Sequence, residues 1–378
     1  MKTKTVAIVG AGISGLYCAK ILSHKLEVTV FDKNDQVGGR IQTDQVDGFL
    51  LDHGFQVLQP AYSEAIRAFD YRSLDLHYFG AGAKILFGKT FHEVSDPFRE
   101  PLKLLKTLSA PIGSLLDKLR ILKLRFVDPK DSRLNGISTI KFLEEEGFSP
   151  DVIARFFGPF FSGVFLEREL KTPASFFAYL YRLFSISEVA VPKHGMGQLA
   201  FQLADDSSFS IRLGESADIQ KLRSSYDYVI QAHNSWKTGA RKVTTDYFIS
   251  KTFNPKSPIL YLNGNQTGII NHLAPMSTVS KAYSSDGKSL LSVNLLEPNT
   301  NSVVTDVHNE LAEWFAGHHF EHLARYQIEN ALPVVDYSQI KSLHREGVYY
   351  CGDGEIQPSI QGALVSGRKV AEKIISLL

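Results

Sequence analysis

The chain has only two cysteines in 378 residues, Cys18 and Cys351. That excludes a disulfide-built scaffold, and both fall in apolar surroundings that suit small buried side chains. Metal-ligand sets are missing as well. His318, His319 and His322 cluster without matching cysteines or acids, so no metal is expected and the cluster reads as a solvated turn. No apolar run reaches the ~20 residues of a membrane-crossing helix. Lys2 and Lys4 precede an apolar run in the manner of a secretion signal, but glycines interrupt it and no small-residue cleavage site follows, so a cytoplasmic location is expected. A net charge of +1 offers nothing to nucleic acid. There are no repeats and no low-complexity segments. No Ser-His-Asp or Cys-His constellation can be assembled, so no catalytic residue is assigned.

What is present is concentrated between Lys4 and Asp32. Thr5–Val9 has the β-branched, apolar character of a buried strand, Leu16–Leu22 that of a helix, and Glu27–Phe31 that of a second strand. Gly10-Ala11-Gly12-Ile13-Ser14-Gly15 joins the first strand to the helix. In that context Gly10 permits a tight turn, Gly12 lets backbone approach a pyrophosphate, and Gly15 allows the helix to lie close to the strand. The helix N-terminus directs unpaired N–H groups at the phosphates. Asp32 follows Gly10 by 22 positions, suited to a ribose hydroxyl, with Lys33 beside it. Gly38-Gly39-Arg40 adds a second phosphate-type signal, an exposed glycine backbone and a guanidinium able to bind bidentately.

Four blocks in order carry a family resemblance: VAIVGAGISGLYCAKIL with VTVFDKNDQVGGRIQT, FLLDHGFQVL (49–58), VPKHGMGQLAFQLA (191–204) and GVYYCGDGEIQPSIQGALVSGRKVAEKI (347–374). The chain resembles the superfamily of flavin-containing amine oxidases, phytoene desaturases and protoporphyrinogen oxidases. The resemblance implies an α/β fold in which an FAD/NAD(P)-binding Rossmann-like domain carries a mixed α+β substrate domain and a helical insert. It also implies an FAD-dependent oxidoreductase that takes hydride from its substrate onto flavin N5. The expected division is 1–57, 190–245 and 335–378 for the FAD domain, 58–95 and 246–334 for the substrate domain, and 96–189 for the insert over the substrate cavity. One departure from the pattern is Asp32, where the family usually has Glu, a methylene longer.

By the same resemblance, Gly54, Phe55 and Gln56 run under the flavin. Ala217 meets adenine, Ala232 lies near the phosphates, and Gly352-Asp353 binds the ribityl and phosphate region. The helix start at Gln361, Gly362 and Ala363 faces the pyrimidine end of the ring. These join Gly10, Gly12, Ile13, Ser14, Gly15, Asp32, Lys33, Gly39 and Arg40 as the cofactor-binding set. His53, Gln56, Lys193 and His194 lie in or beside flavin-facing motifs and suit either proton transfer or plain structural hydrogen bonds. Relatives that attach flavin covalently use a cysteine some residues before the final glycine turn. Cys351 sits directly against Gly352, so FAD is expected to be held without a covalent link.

The final block also bears on the substrate. Amine oxidases usually carry aromatic residues there, whereas this chain has Pro358-Ser359-Ile360-Gln361 and no well-placed counterpart of their lysine; Lys281 does not suit. The pattern is closer to the desaturase, isomerase and porphyrinogen-oxidase side. An amine oxidase with a rebuilt pocket and a lipid-binding escort protein of the same fold stay open as alternatives. Within the insert, Leu115, Leu116, Leu119, Leu122 and Phe126 suit one helix face. Residues 99–127 hold seven bases and two acids, a pattern that favours an anionic lipid surface. Five phenylalanines in 155–165 and three more in 176–184 suit a core or an apolar pocket. Residues 60–95 and the segments Phe209–Leu213, Asp218–Leu222, Pro258–Leu262, Thr267–Asn271 and Ser289–Leu295 read as strands. Ile137–Glu146, Thr305–Phe315 and Gly362–Leu377 read as helices.

Overall fold

The computed structural model describes residues 3–205, 208–233, 239–334 and 342–378. Its centre is a six-stranded sheet assembled from three distant parts of the chain. Thr5–Val9 lies between Glu27–Phe31 and Tyr228–Gln231, parallel to both. Ser210–Arg212 extends one side and Val348–Tyr350 the other, also in parallel, and His344–Arg345 closes the second edge antiparallel. A strand with parallel neighbours on both sides and helices over its faces has no solvent side. That accounts for the unbroken apolar run Val6-Ala7-Ile8, in which no residue reaches solvent. Helix Ile13–Leu22 packs against the C-terminal helix Ile360–Ile375, and Ser14 Oγ meets Ser366 Oγ at 3.0 Å across the contact.

A second sheet of seven strands stands beside the first. Its order is Glu321–Pro333, Ala240–Ser250, Ser289–Leu296, Ile270–Ala274, Leu260–Asn263, Gly82–Phe87 and Thr90–Ser95. The pairs are antiparallel except that between Leu260–Asn263 and Gly82–Phe87. Every residue of Ser289–Leu296 is buried. Between the sheet's last strand and Ala190, the chain forms the helical insert, including Leu115–Leu124, Thr139–Glu145, Gly158–Phe165 and Ala174–Ile186. Ser138 caps the second of these, accepting from Lys141 N. This is the expected architecture of a Rossmann-like sheet, a mixed substrate sheet and a helical insert. Parts of the expected nucleotide-domain segments, 206–207, 234–238 and 335–341, lie outside the described residues.

Several local expectations need correction. The first helix begins at Ile13, three residues before the expected Leu16. Residues 60–95 open with two short helices, Ser63–Ala68 and Tyr71–Leu74, before their strands begin. Asp218–Leu222 is also helical, over Ile219–Leu222. At Tyr71–Leu74 and Ile219–Leu222 an aspartate side chain supplies the cap. Asp70 accepts from Arg72 N, and Asp218 from Gln220 N, so each satisfies a donor that a strand would leave to a neighbour. The strand expected at Thr267–Asn271 lies over Ile270–Ala274. The leucine spacing of 115–126 does produce a helix, but its apolar positions are not packed. Leu115, Leu116 and Leu119 are exposed, as is Phe126 beyond the helix end, at 83%.

Candidate active site

Gly10 has φ +120, a conformation that L side chains rarely adopt, and its N–H donates to Phe31 O at 2.7 Å. The chain then turns directly into the helix at Gly12. No side chain caps this helix, so its first N–H groups face outward with the positive end of the helix dipole. A Cβ on Gly15 would lie 2.1 Å from Gly10 O, which shows how closely the helix rests on the turn. Asp32 braces the same turn. Its carboxylate accepts from Ala11 N at 2.7 Å and from Asn34 N at 2.9 Å. The shorter acid therefore holds the turn in shape while still lining the space in front of it.

Arg40 has a partner that its sequence context does not show. Its guanidinium forms a fork onto Asp353, at 3.0 and 2.6 Å, and one arm also donates to Ala331 O. The pair joins the N-terminal glycine segment to the final glycine turn. The Asp353 side chain is only 5% exposed, so its charge is compensated by Arg40.

One cavity of about 1300 Å³ runs through the molecule from this turn. All of the expected cofactor-binding residues line it except Gly15, Gln361 and Gly362. Gln361 turns away: its Oε1 accepts from Glu64 N and its Nε2 donates to Ser63 Oγ, tying the last helix to Ser63–Ala68. The N–H of Gly362 donates to the cap Ser359 Oγ, and Ser359, Ile360 and Ala363 form the wall instead. His53 and Gln56 face the cavity; His53 Nε2 lies 2.9 Å from Asp44 Oδ2, and Gln56 donates to Arg40 O. Lys193 and His194 do not. Lys193 pairs with Asp75, and His194 is exposed.

Beyond Gly54 and Phe55 the walls become apolar. The phenylalanines of the insert divide between two tasks. Phe157, Phe165 and Phe177 are buried in core, whereas Phe156, Phe160 and Phe184 are half-buried and line the cavity. Farther out, Asp96, Arg99, Arg125 and Glu188 form an ion-paired collar. The cavity then reaches Leu104, Leu108, Leu115 and Leu119, all exposed on their other side. Sequence reasoning missed His272, which lines the cavity from the second sheet and is 4% exposed. Burial pushes its basicity down to about 4, so the ring is neutral near pH 7. The available signal was the polar pair Asn271-His272 inside an otherwise apolar strand.

A family model described as flavin containing amine oxidoreductase matches residues 13–247. The chain belongs to this family. It is an FAD-dependent oxidoreductase. Over 50 residues this flavoenzyme is 50% identical to a 4,4'-diapophytoene desaturase of Staphylococcus haemolyticus strain JCSC1435, a stretch covering 13% of this chain and 10% of that one. The matched length is thus a small part of that relative. An oxidoreductase from Methanosarcina mazei is similar in fold, with a TM-score of 0.74 at 17% identity over 97% of this chain and 100% of its own. A putrescine oxidase solved with putrescine bound is similar at 0.62 and 16% identity over 99% of both chains.

The geometry suits a flavin dinucleotide. An uncapped helix start and glycine backbone are of the kind that suits phosphates, and a buried acid stands at the ribose distance in sequence. A single drug-sized ligand fills about 300–1,000 Å³. The flavoenzyme's cavity exceeds that, leaving room for a second molecule beside the cofactor.

Proposed function

We propose that this flavoenzyme oxidises a lipophilic substrate of the desaturase, isomerase or porphyrinogen-oxidase type. The observation that carries the reading is the continuity of the cavity from the Gly10 turn to the Phe156, Phe160 and Phe184 walls and on to exposed leucines. Bound flavin supplies the hydride acceptor. The chain's own residues do the rest. Gly10, Gly12, Ile13, Ser14 and Gly39 present backbone to the dinucleotide, and Asp32 and Lys33 stand at the ribose. The Arg40–Asp353 pair borders the pyrophosphate and ribityl region. Gly54, Phe55, Gln56, Ala217, Ala232 and Ala363 complete the walls, and FAD is held without a covalent bond. The phenylalanines keep water from the reacting carbon and position an apolar body. Three chain segments, 1–57, 190–245 and 335–378, form the cofactor domain, with the substrate domain and insert in the remainder.

The substrate enters from a membrane surface to which the enzyme is peripherally bound. Leu102 and Leu105 are 98% and 79% exposed, and basic residues lie between them and Phe126. Among the described residues no helix is long and apolar enough to cross a membrane. The deciding experiment is an anaerobic titration of the purified holoenzyme with lipophilic candidates, following bleaching of the flavin absorbance. Bleaching by polyenes or porphyrinogens supports the reading, and bleaching only by polyamines overturns it. Acid precipitation should leave the yellow colour in the supernatant.

A further inference from the structure

Helix Leu115–Leu124 turns one stripe to the cavity. Leu115, Lys118, Leu119 and Leu122 line it, with Arg125 just past the helix end. Positions three and four apart share a helix face, so the lysine stands in a row of leucines. Leu104 and Leu108, from the neighbouring helix Leu104–Ser109, lie on the same wall. Lys118 is half-buried and held in place. Its Nζ donates to Leu108 O at 2.6 Å and to Ala110 O at 2.8 Å. An ammonium has three N–H donors, so the third is left without a partner among the described residues.

Beyond Gly54 and Phe55 the cavity wall carries three cations, Arg99, Lys118 and Arg125, against two acids, Asp96 and Glu188. Asp96 pairs with both arginines and Glu188 with Arg99, so Lys118 is the cation left over. Its neighbour in sequence, Asp117, points into the protein with 0% side-chain exposure and is taken up by Ser114 and Ser149. Burial pulls the Lys118 ammonium below the ordinary lysine value, and the charge of Asp117 offsets this only in part. A molecule that fills this end of the cavity strips water from the ammonium. A hydrocarbon then leaves the charge unanswered, at a cost, whereas a carboxylate brings both an acceptor and the opposite charge. We propose that Lys118 receives the carboxylate of an amphipathic substrate, a lipophilic acid lying with its anionic group at the outer end of the cavity and its reacting carbon at the apolar end. The inference rests on the lipophilic-substrate reading above and narrows it to acids. A phospholipid headgroup offers similar anionic chemistry, and the test separates the two sources.

The test uses the holoenzyme and three probes with one tail, dodecanoate, dodecanol and dodecylammonium, each below its micelle concentration, with affinity read by equilibrium dialysis. The unaltered enzyme should bind dodecanoate about tenfold more tightly than dodecanol, as expected for a charge-assisted hydrogen bond, and dodecylammonium least. That order does not depend on any variant folding. In Lys118→Met the advantage of dodecanoate over dodecanol should vanish while dodecanol affinity holds, and Lys118→Arg should keep the advantage. If the probes bind but the unaltered enzyme does not favour dodecanoate, or Lys118→Met leaves the advantage intact, the inference fails and the lipophilic reading stands. If no probe binds, both fall together. Vesicles containing phosphatidylglycerol decide between the sources. Lys118→Met should sediment with them as the unaltered enzyme does. If sedimentation falls while the probe ratio is unchanged, the charge serves a lipid headgroup and the inference is overturned.

Discussion

The two ends of the cavity are built by opposite means. At the end proposed for the dinucleotide, residues between Val9 and Ile41 supply much of the lining, with glycine backbone and the charged side chains of Asp32, Lys33 and Arg40. At the substrate end the wall comes from the insert, the second sheet and the segment after Asp52, and it is mostly side-chain carbon. The first end has points that admit no added carbon, since a Cβ on Gly10 or Gly15 would lie 2.9 or 2.1 Å from backbone. The second can change composition while the fold persists, since apolar walls of similar volume replace one another at modest cost. That contrast suits a fold that keeps its cofactor and varies its substrate.

The strongest way to break the contrast is at Gly15. Gly15→Val would drive side-chain carbon into Gly10 O and separate helix from turn. The expected outcome is protein without yellow colour, checked by visible absorbance after purification. A variant that retains flavin would show that the nucleotide end is as adaptable as the other. Next come two phenylalanines of the insert. Phe157→Ala empties fully buried core and should cost about 3–5 kcal/mol. Phe160→Ala, at the cavity wall, should cost about 1 kcal/mol of stability and show itself in substrate affinity instead. Denaturant unfolding separates the two.

Arg40→Ala tests whether the nucleotide end depends on charge as well as shape. It leaves the Asp353 carboxylate buried without its partner, so flavin occupancy should fall and stability should drop by about 2–3 kcal/mol. Arg40→Ala combined with Asp353→Asn should recover part of the stability.

A pH prediction concerns the insert. Burial works against charge on Asp117, but hydrogen bonds from Ser149 and Ser114 outweigh it and hold the carboxyl down at about 2. The group's ordinary value is near 4. Its contribution of about 2 kcal/mol is therefore fully present above pH ~4 and is lost as pH falls towards 2. Asp117→Asn should be less stable at neutral pH and lose less on acidification, followed by helical signal across a pH series.

The smallest effect belongs to the outer surface. Lys118 is tied to Leu108 O and Ala110 O, so the exposed Lys106 and Lys123 are the better probes. Lys106→Glu with Lys123→Glu should weaken co-sedimentation with anionic liposomes at low salt, at roughly 1 kcal/mol for each lysine removed. No sedimentation of the unaltered enzyme at any salt would refute entry from a membrane.

The same contrast explains what could be read beforehand. The strand–turn–helix unit carrying Gly10, Gly12, Gly15 and Asp32 was legible because its conformation depends on neighbours a few positions away. The limits of Thr5–Val9 and Glu27–Phe31 came out as expected for the same reason. Helices at 71–74 and 219–222 read as strands in sequence because short runs are ambiguous until the capping aspartates Asp70 and Asp218 are weighed. Gln361 lies in a motif that the resemblance places at the flavin, yet its amide is claimed by Ser63 and Glu64, almost 300 positions earlier.

The sequence by itself determined the family, the glycine turn between the first strand and helix, and the helix within 115–126, because glycine sterics and hydrophobic period act locally. Only the tertiary structure decided that Arg40 grips Asp353, that Phe160 faces a cavity while Phe157 fills core, and that a bulge sets the His272 ring against Asn271. Those outcomes depend on which distant segments meet and on a one-residue slip in strand register, and neither leaves a periodic mark along the chain.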